Sequence, residues 1–144
     1  MSAAQRLYTP ELLALAVDLA KWPRLESAPV HGEARSPTCG STLAIDLALD
    51  EGGRIERIGM AVRACAVGQA AAAIFAREAA GRSGEDIAAA LSQLEAWLSH
   101  EGAVPEWPGL APIEPARAYP ARHGAMLLPW KAALGALSST ADAG

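Results

Sequence analysis

The sequence predicts an α+β fold, a small antiparallel sheet of about three strands packed on one face by four or five helices. Two observations carry that expectation. Residues 42–62 alternate apolar and polar positions with a period of two, interrupted at Asp50-Glu51-Gly52-Gly53, which is the pattern of a β-hairpin. On either side of this stretch, apolar residues recur at helical spacing behind good capping residues.

The first helix is read from Pro10 to Lys21. Thr9 supplies the N-cap, Pro10 suits the first helical position, and Leu12, Leu15, Ala16 and Leu19 share one face. Trp22-Pro23 ends it, because a residue preceding proline is pushed out of the α region. Residues 23–41 read as a loop, with a short extended piece over Glu33 to Ser36 as a third strand. In the hairpin, Leu43, Ile45, Leu47 and Leu49 alternate with Ala44, Asp46, Ala48 and Asp50. The return strand carries Ile55, Ile58, Met60 and Val62, with an irregularity between its two isoleucines.

Residues 66–80 are dominated by alanine and close at Gly81, a second helix. Ser83 and Asp86 have capping-box spacing ahead of Ile87, Leu91, Leu94 and Leu98. Residues 99–121 hold five prolines and read as a long loop, and a last helix is expected from about Leu127 to Leu137. Trp97 and Trp130 lie at core spacing, whereas Trp22 and Trp107, each beside a proline, are open to either packing or binding. One domain over residues 1–138 and a flexible tail over 139–144 complete the organisation.

At 144 residues the chain is long enough to bury a core without disulfides or a structural metal. A net charge of −4, with the nearest basic grouping at Arg54, Arg57 and Arg63 on a solvated strand face, argues against nucleic acid as a partner. No stretch approaches the ~20 apolar residues of a membrane span, and the first residues lack the pattern of a secretory signal. A cytoplasmic protein is therefore expected, in which its two cysteines remain thiols.

Cys39 stands just before the first hairpin strand and Cys65 just after the second, 26 positions on. Antiparallel pairing brings both to one end of the sheet. A lone cysteine is most often a small buried hydrophobe. Here, however, Cys39 lies in a Pro/Gly-rich turn, Pro37-Thr38-Cys39-Gly40-Ser41, and Cys65 at a helix start, where unpaired N–H groups favour an anionic sulfur. Together they are half of a tetrahedral metal site.

At these residues the chain resembles the U-type iron-sulfur cluster scaffold family, whose NifU N-terminal members share the fold expected here. Pro37-Thr38-Cys39-Gly40 is similar to the first ligand motif, P-x-C-G-D, and Cys65-Ala66-Val67 with Gln69-Ala70 to the second, C-A-I-S-x-A-S. Tyr119-Pro120-Ala121-Arg122 and Leu128-Pro129-Trp130-Lys131-Ala132 resemble the third block, P-x-R-x-x-C-A-x-L-P-W-x-A-L. The proline-rich insertion, and the lack of an L-P-P-V-K docking sequence, resemble the SufU-like branch. The resemblance implies a carrier, not a turnover enzyme, that accepts sulfur from a SufS-like cysteine desulfurase and holds a labile iron-sulfur cluster, zinc or iron. It also implies iron-sulfur recipient proteins as further partners and leaves homo-oligomers open.

The departures fall on the ligands. At family spacing the third cysteine becomes Ala125 and the aspartate becomes Ser41. His123 is the residue placed to compensate, as a third ligand that decides whether metal binds, with Ser41 a weaker fourth. Its two-residue offset from Ala125 requires a bulge at Gly124. His31 and His100 are weaker candidates. The alternative is a metal-free member of the fold, acting as a regulatory or protein-interaction module. A hydrolase or transferase using Cys65 with His123 has little support, since the sequence places no acid to orient the base.

Overall fold

The computed structural model describes residues 7–28, 30–37 and 40–143. Cys39 and the first six residues lie outside that set. Four α-helices, two 3-10 segments and three strands follow one another among the described residues. Helix α1 (Pro10–Asp18) starts as the sequence predicts, the Thr9 hydroxyl accepting from the Leu12 N–H at 3.2 Å, and it buries Leu12 and Leu15. A 3-10 turn, Leu19–Lys21, follows and ends at Trp22.

The sheet has the order β1 (Val30–Arg35), β2 (Thr42–Leu49), β3 (Ile55–Arg63), antiparallel throughout. Strand β1 begins earlier than the extended piece read from sequence and ends one residue before Ser36. The difference arises because Gly32 interrupts its apolar alternation. Gly32 is required there by helix packing: a Cβ on it would overlap the Ala132 carbonyl and come 2.9 Å from the Ala136 Cβ. The β2–β3 turn is closed by the Asp50 carboxylate, which accepts from the N–H groups of Gly52 and Arg54, both at 2.9 Å. Gly53 takes φ +81°. A bulge opposite Ala48 and Leu49 inserts the extra residue that sets Ile55 and Ile58 at odd spacing.

Helix α2 (Ala66–Glu78) is central, and nine of its thirteen residues are buried. A helix buried nearly all round needs small side chains where neighbours approach, which is what Ala70 to Ala73 supply. Helix α3 (Gly84–Leu98) opens with the expected capping box between Ser83 and Asp86. Helix α4 (Pro120–Ala143) lies between the inner sheet face and α2 and α3.

Two expectations change. The last helix begins at Pro120, not near Leu127, because Pro120 itself takes the first helical position and Pro129 is carried inside the helix at the loss of one backbone hydrogen bond. Its backbone runs to Ala143, into the segment read as a tail. The long loop also contains a 3-10 helix, Ala111–Ala118. Pro112 and Pro115, three apart, share one side of its three-residue turn.

Trp107 is core: it stacks on Phe75 at 5.4 Å, meets Trp130 edge-on at 5.4 Å, and donates its indole N–H to the Ile74 carbonyl at 3.2 Å. Trp97 and Trp130 are buried as expected, and Trp22 is half-buried.

Candidate functional site

Three segments meet at one end of the sheet. The β1–β2 loop is held closed at its base, where the Ser36 N–H donates to the Ser41 carbonyl and the Gly40 N–H to the Ser36 carbonyl, both at 2.9 Å. Gly40 takes φ +71°, which favours glycine directly after Cys39. Register pairs Thr42 with Arg63, so the backbone leaving the Cys39 turn and the backbone approaching Cys65 run side by side.

Cys65 is the N-cap of α2, extended at φ −64° and ψ 170°, half-buried, with no capping bond from its sulfur. Its carbonyl accepts the Gln69 N–H at 3.0 Å, and the Gln69 side-chain amide donates to the Ala64 carbonyl at 2.8 Å. Gln69 thus fixes the entry of the chain into α2 while the thiol stays uncommitted to the helix.

The third segment is the start of α4. A Cβ on Gly124 would overlap the Ser36 Oγ, and one on Gly68 would come 3.1 Å from the Ala125 Cβ and 2.7 Å from the Ala64 Cβ. Gly124 therefore lies against the base of the Cys39 turn, and Ala125 against the first turn of α2, three residues past Cys65. Pro129 has no N–H, so the Ala125 carbonyl lacks its i+4 helical donor at the same place. Ala125 itself is fully buried.

His123 does not share that direction. No bulge occurs at Gly124; α4 is helical through it, and a two-residue offset on a helix turns a side chain by about 200°. The His123 ring donates Nε2–H to the Arg117 carbonyl at 2.9 Å, which leaves Nδ1 as the nitrogen with a free lone pair. Ser41 is buried at the turn beside Gly40. Among the described residues no three of His, Cys, Asp and Glu are grouped as a metal site.

The other two histidines are engaged elsewhere. His31 lies on β1, not in a loop, opposite Asp46, and its Nδ1 is 2.7 Å from that carboxylate. His100, at φ +61°, places Nδ1 3.1 Å from the Arg117 guanidinium, which also stacks over Trp97 at 4.9 Å.

A polar centre that the sequence did not reveal sits on the outer sheet face. Asp46, fully buried, receives Arg24 Nε and an Arg24 terminal nitrogen at 2.6 and 2.8 Å, and the Leu25 N–H at 3.0 Å. The Arg24 guanidinium, with His31 and the Leu25 amide, holds the Asp46 carboxyl at about 2, below its ordinary 3.8, against the opposing effect of burial. Arg24 belongs to a strap, residues 22–25, that crosses β3. The Met60 N–H donates to the Trp22 carbonyl at 2.9 Å, and a Cβ on Gly59 would overlap the Pro23 carbonyl. Asp46 reads in sequence as one more outward polar residue; only the fold brings Arg24 to it.

A three-stranded antiparallel sheet on a helical layer, with a cysteine at the start of the central helix beside a glycine-rich turn, defines a U-type scaffold fold. Solved structures agree. The NifU-like protein (N-terminal) from Brucella abortus is 26% identical, with 99% of this chain and 100% of that chain covered and a TM-score of 0.89. A protein assigned as an iron-sulfur cluster assembly scaffold for the SUF system, from Fervidobacterium islandicum AW-1, is 20% identical over 91% and 96% of the two chains, with a TM-score of 0.80. No protein-family profile and no curated protein matches the chain. The resemblance read from the sequence motifs, and the fold class with it, is thus borne out. Among the described residues no helix is long and apolar enough to cross a membrane.

Proposed function

We propose that this chain is a diverged iron-sulfur cluster assembly protein, a carrier that accepts sulfur from a cysteine desulfurase through Cys65 and Cys39. The observation that supports the reading is the meeting of Ser36, Gly40 and Ser41, the Cys65 helix start and the Ala125 segment, which correspond to the three motifs by which the chain resembles the family. In the transfer step, a thiolate of this chain attacks the outer sulfur of the desulfurase persulfide. The sulfur–sulfur bond to the desulfurase cysteine breaks, that cysteine leaves as thiolate, and the carrier holds the new persulfide. No outside oxidant is needed. Cys65 opens helix α2 with its sulfur making no capping bond, and Cys39 directly precedes Gly40 in the sequence.

The donor set does not close a site within one chain. Two thiols, a neutral Ser41 hydroxyl and the Ala125 methyl fall short of the four protein ligands of a structural zinc site or a one-chain cluster. His123 adds a third ligand only through Nδ1, after its ring leaves the direction it now takes. Cluster or metal is therefore cargo, with a partner's cysteine completing the coordination.

The test is incubation with a pyridoxal-phosphate-dependent cysteine desulfurase and cysteine, followed by mass spectrometry of the intact chain. Gain of one sulfur atom, lost in Cys65→Ser, is expected; no gain in the natural chain overturns the proposal. The buried Ala125 methyl, placed where the family has a ligand, favours a second reading, a metal-free interaction module. That reading stands if neither sulfur nor stoichiometric zinc or iron is carried by the folded protein.

A further inference from the structure

The outer face of the sheet can be laid out row by row from the register. Nearest the cysteine end stand Arg35, Thr42 and Arg63; next come Glu33, Ala44 and Ala61; then His31, Asp46 and Gly59. The strap at residues 22–25 roofs the third row. Two alanines in the second row leave a hollow of about 700 Å³, lined also by Glu33, Thr42 and the two arginines.

The arginines are the unusual feature. Arg24, Arg54 and Arg77 are in ion pairs, Arg82 and Arg117 stack on tryptophans, and Arg122 donates to the Tyr8 hydroxyl. Arg35, Arg57 and Arg63 are exposed and, among the described residues, have no ion-pair partner; of the three, Arg35 and Arg63 share a row. Lying in one row on either side of Thr42, their Cα atoms are roughly 10 Å apart, two strand spacings. A chain of net charge −4 therefore carries, at the sheet end of Ser41, a cationic pair without an ion-pair partner among the described residues. Glu33, the acidic residue of the second row, already faces the field of Arg24 from the strap.

We propose that this hollow docks an acidic segment of a partner protein. A carboxylate of the partner lies between Arg35 and Arg63 over the Thr42 hydroxyl, and its backbone runs over Ala44 and Ala61, where no side chain stands in the way. Carboxylates fit better than a nucleic-acid backbone, because one arginine pair on an acidic molecule neutralises too few phosphates. Docking there sets the partner at the sheet end where Ser41 and Cys65 lie.

The experiment uses the full chain carrying Cys39→Ser and Cys65→Ser, so that its outcome is independent of sulfur transfer. A blocked peptide of about eight residues, a strand's length, with alternating alanine and glutamate is titrated into the isotope-labelled protein and followed by amide chemical shifts. Shifts centred on Thr42, Ala44, Ala61 and Arg63 are expected, with affinity falling about tenfold in Arg63→Glu, the effect of adverse charge at close range. Arg57→Glu, an equal charge change beyond the strap, should leave affinity within about twofold, since exposed charges more than a Debye length away are screened. The glutamine version of the peptide should give no shifts. Shifts elsewhere on the molecule, equal losses in both variants, equal binding of the glutamine peptide, or no binding of the glutamate peptide would each overturn the proposal.

Discussion

Replacing Asp46 by asparagine isolates what one buried charge contributes to the sheet's outer face. The amide keeps the shape and can still accept from the Leu25 N–H, but it loses the charge that binds Arg24 and His31. A carboxyl held at about 2 instead of 3.8 corresponds to roughly 2 kcal/mol of native-state stabilisation. Arg24 is half exposed, so water replaces part of what the asparagine cannot give, and a loss of about 1–2 kcal/mol is expected. The sign follows from linkage. A carboxyl whose value is depressed in the folded state stabilises fully above its unfolded value, and loses that contribution as pH falls towards the folded one. Urea unfolding followed by circular dichroism should show a constant gap between natural protein and Asp46→Asn above about pH 5 that narrows steadily below pH 4. A gap under about 0.5 kcal/mol at pH 7, or one that does not shrink in acid, would refute the reasoning.

Gly32→Ala should lower stability by about 1–3 kcal/mol, because its methyl has no room against Ala132 and Ala136; an unchanged urea midpoint would show that α4 does not cross β1 there. Ala125→Cys, whose sulfur has the side-chain-free Gly68 beside it, should raise zinc affinity in competitive titration with a chromophore, and more so with Ser41→Asp added. Equal affinity in natural and restored chains would place these positions outside the site. Chelator treatment should leave the far-ultraviolet circular dichroism unaltered, since the core is complete without metal; loss of helical signal would contradict this.

Much of the fold was legible because local chemistry and tertiary packing agree. Thr9, Ser83 and Asp86 cap the helices that their spacing announces, and the turn residues 50–53 join the strands they separate. The failures share a cause, namely residues whose role is set by a distant neighbour. Pro129 reads locally as a residue of a helix's first turn, near the expected start at Leu127, yet α4 begins at Pro120 and carries it internally. Gly32 reads as a loop residue, and only the approach of Ala132 shows why a strand needs it. Trp107 sits among prolines, with no periodicity to mark it, and becomes core because Phe75 and Trp130 are waiting on two helices.

The candidate site divides along the same line. Cys65 at a helix start, at the sheet end where Ser41 leads into β2, follows from strand pairing and the alanine-rich run alone, so sequence sufficed there. What sequence could not supply is direction. His123 is two positions from Ala125, close in any count of spacing, but a regular helix sends the two side chains to different neighbours: Ala125 to Gly68, and His123 to the Arg117 carbonyl. A histidine can replace a cysteine ligand only from the same side of the helix, or after the backbone shifts, and α4 does not shift. The contact with Gly68 thus belongs to position 125. A methyl at that contact, more than the nearness of any imidazole, is what makes this chain differ chemically from one with a cysteine at position 125.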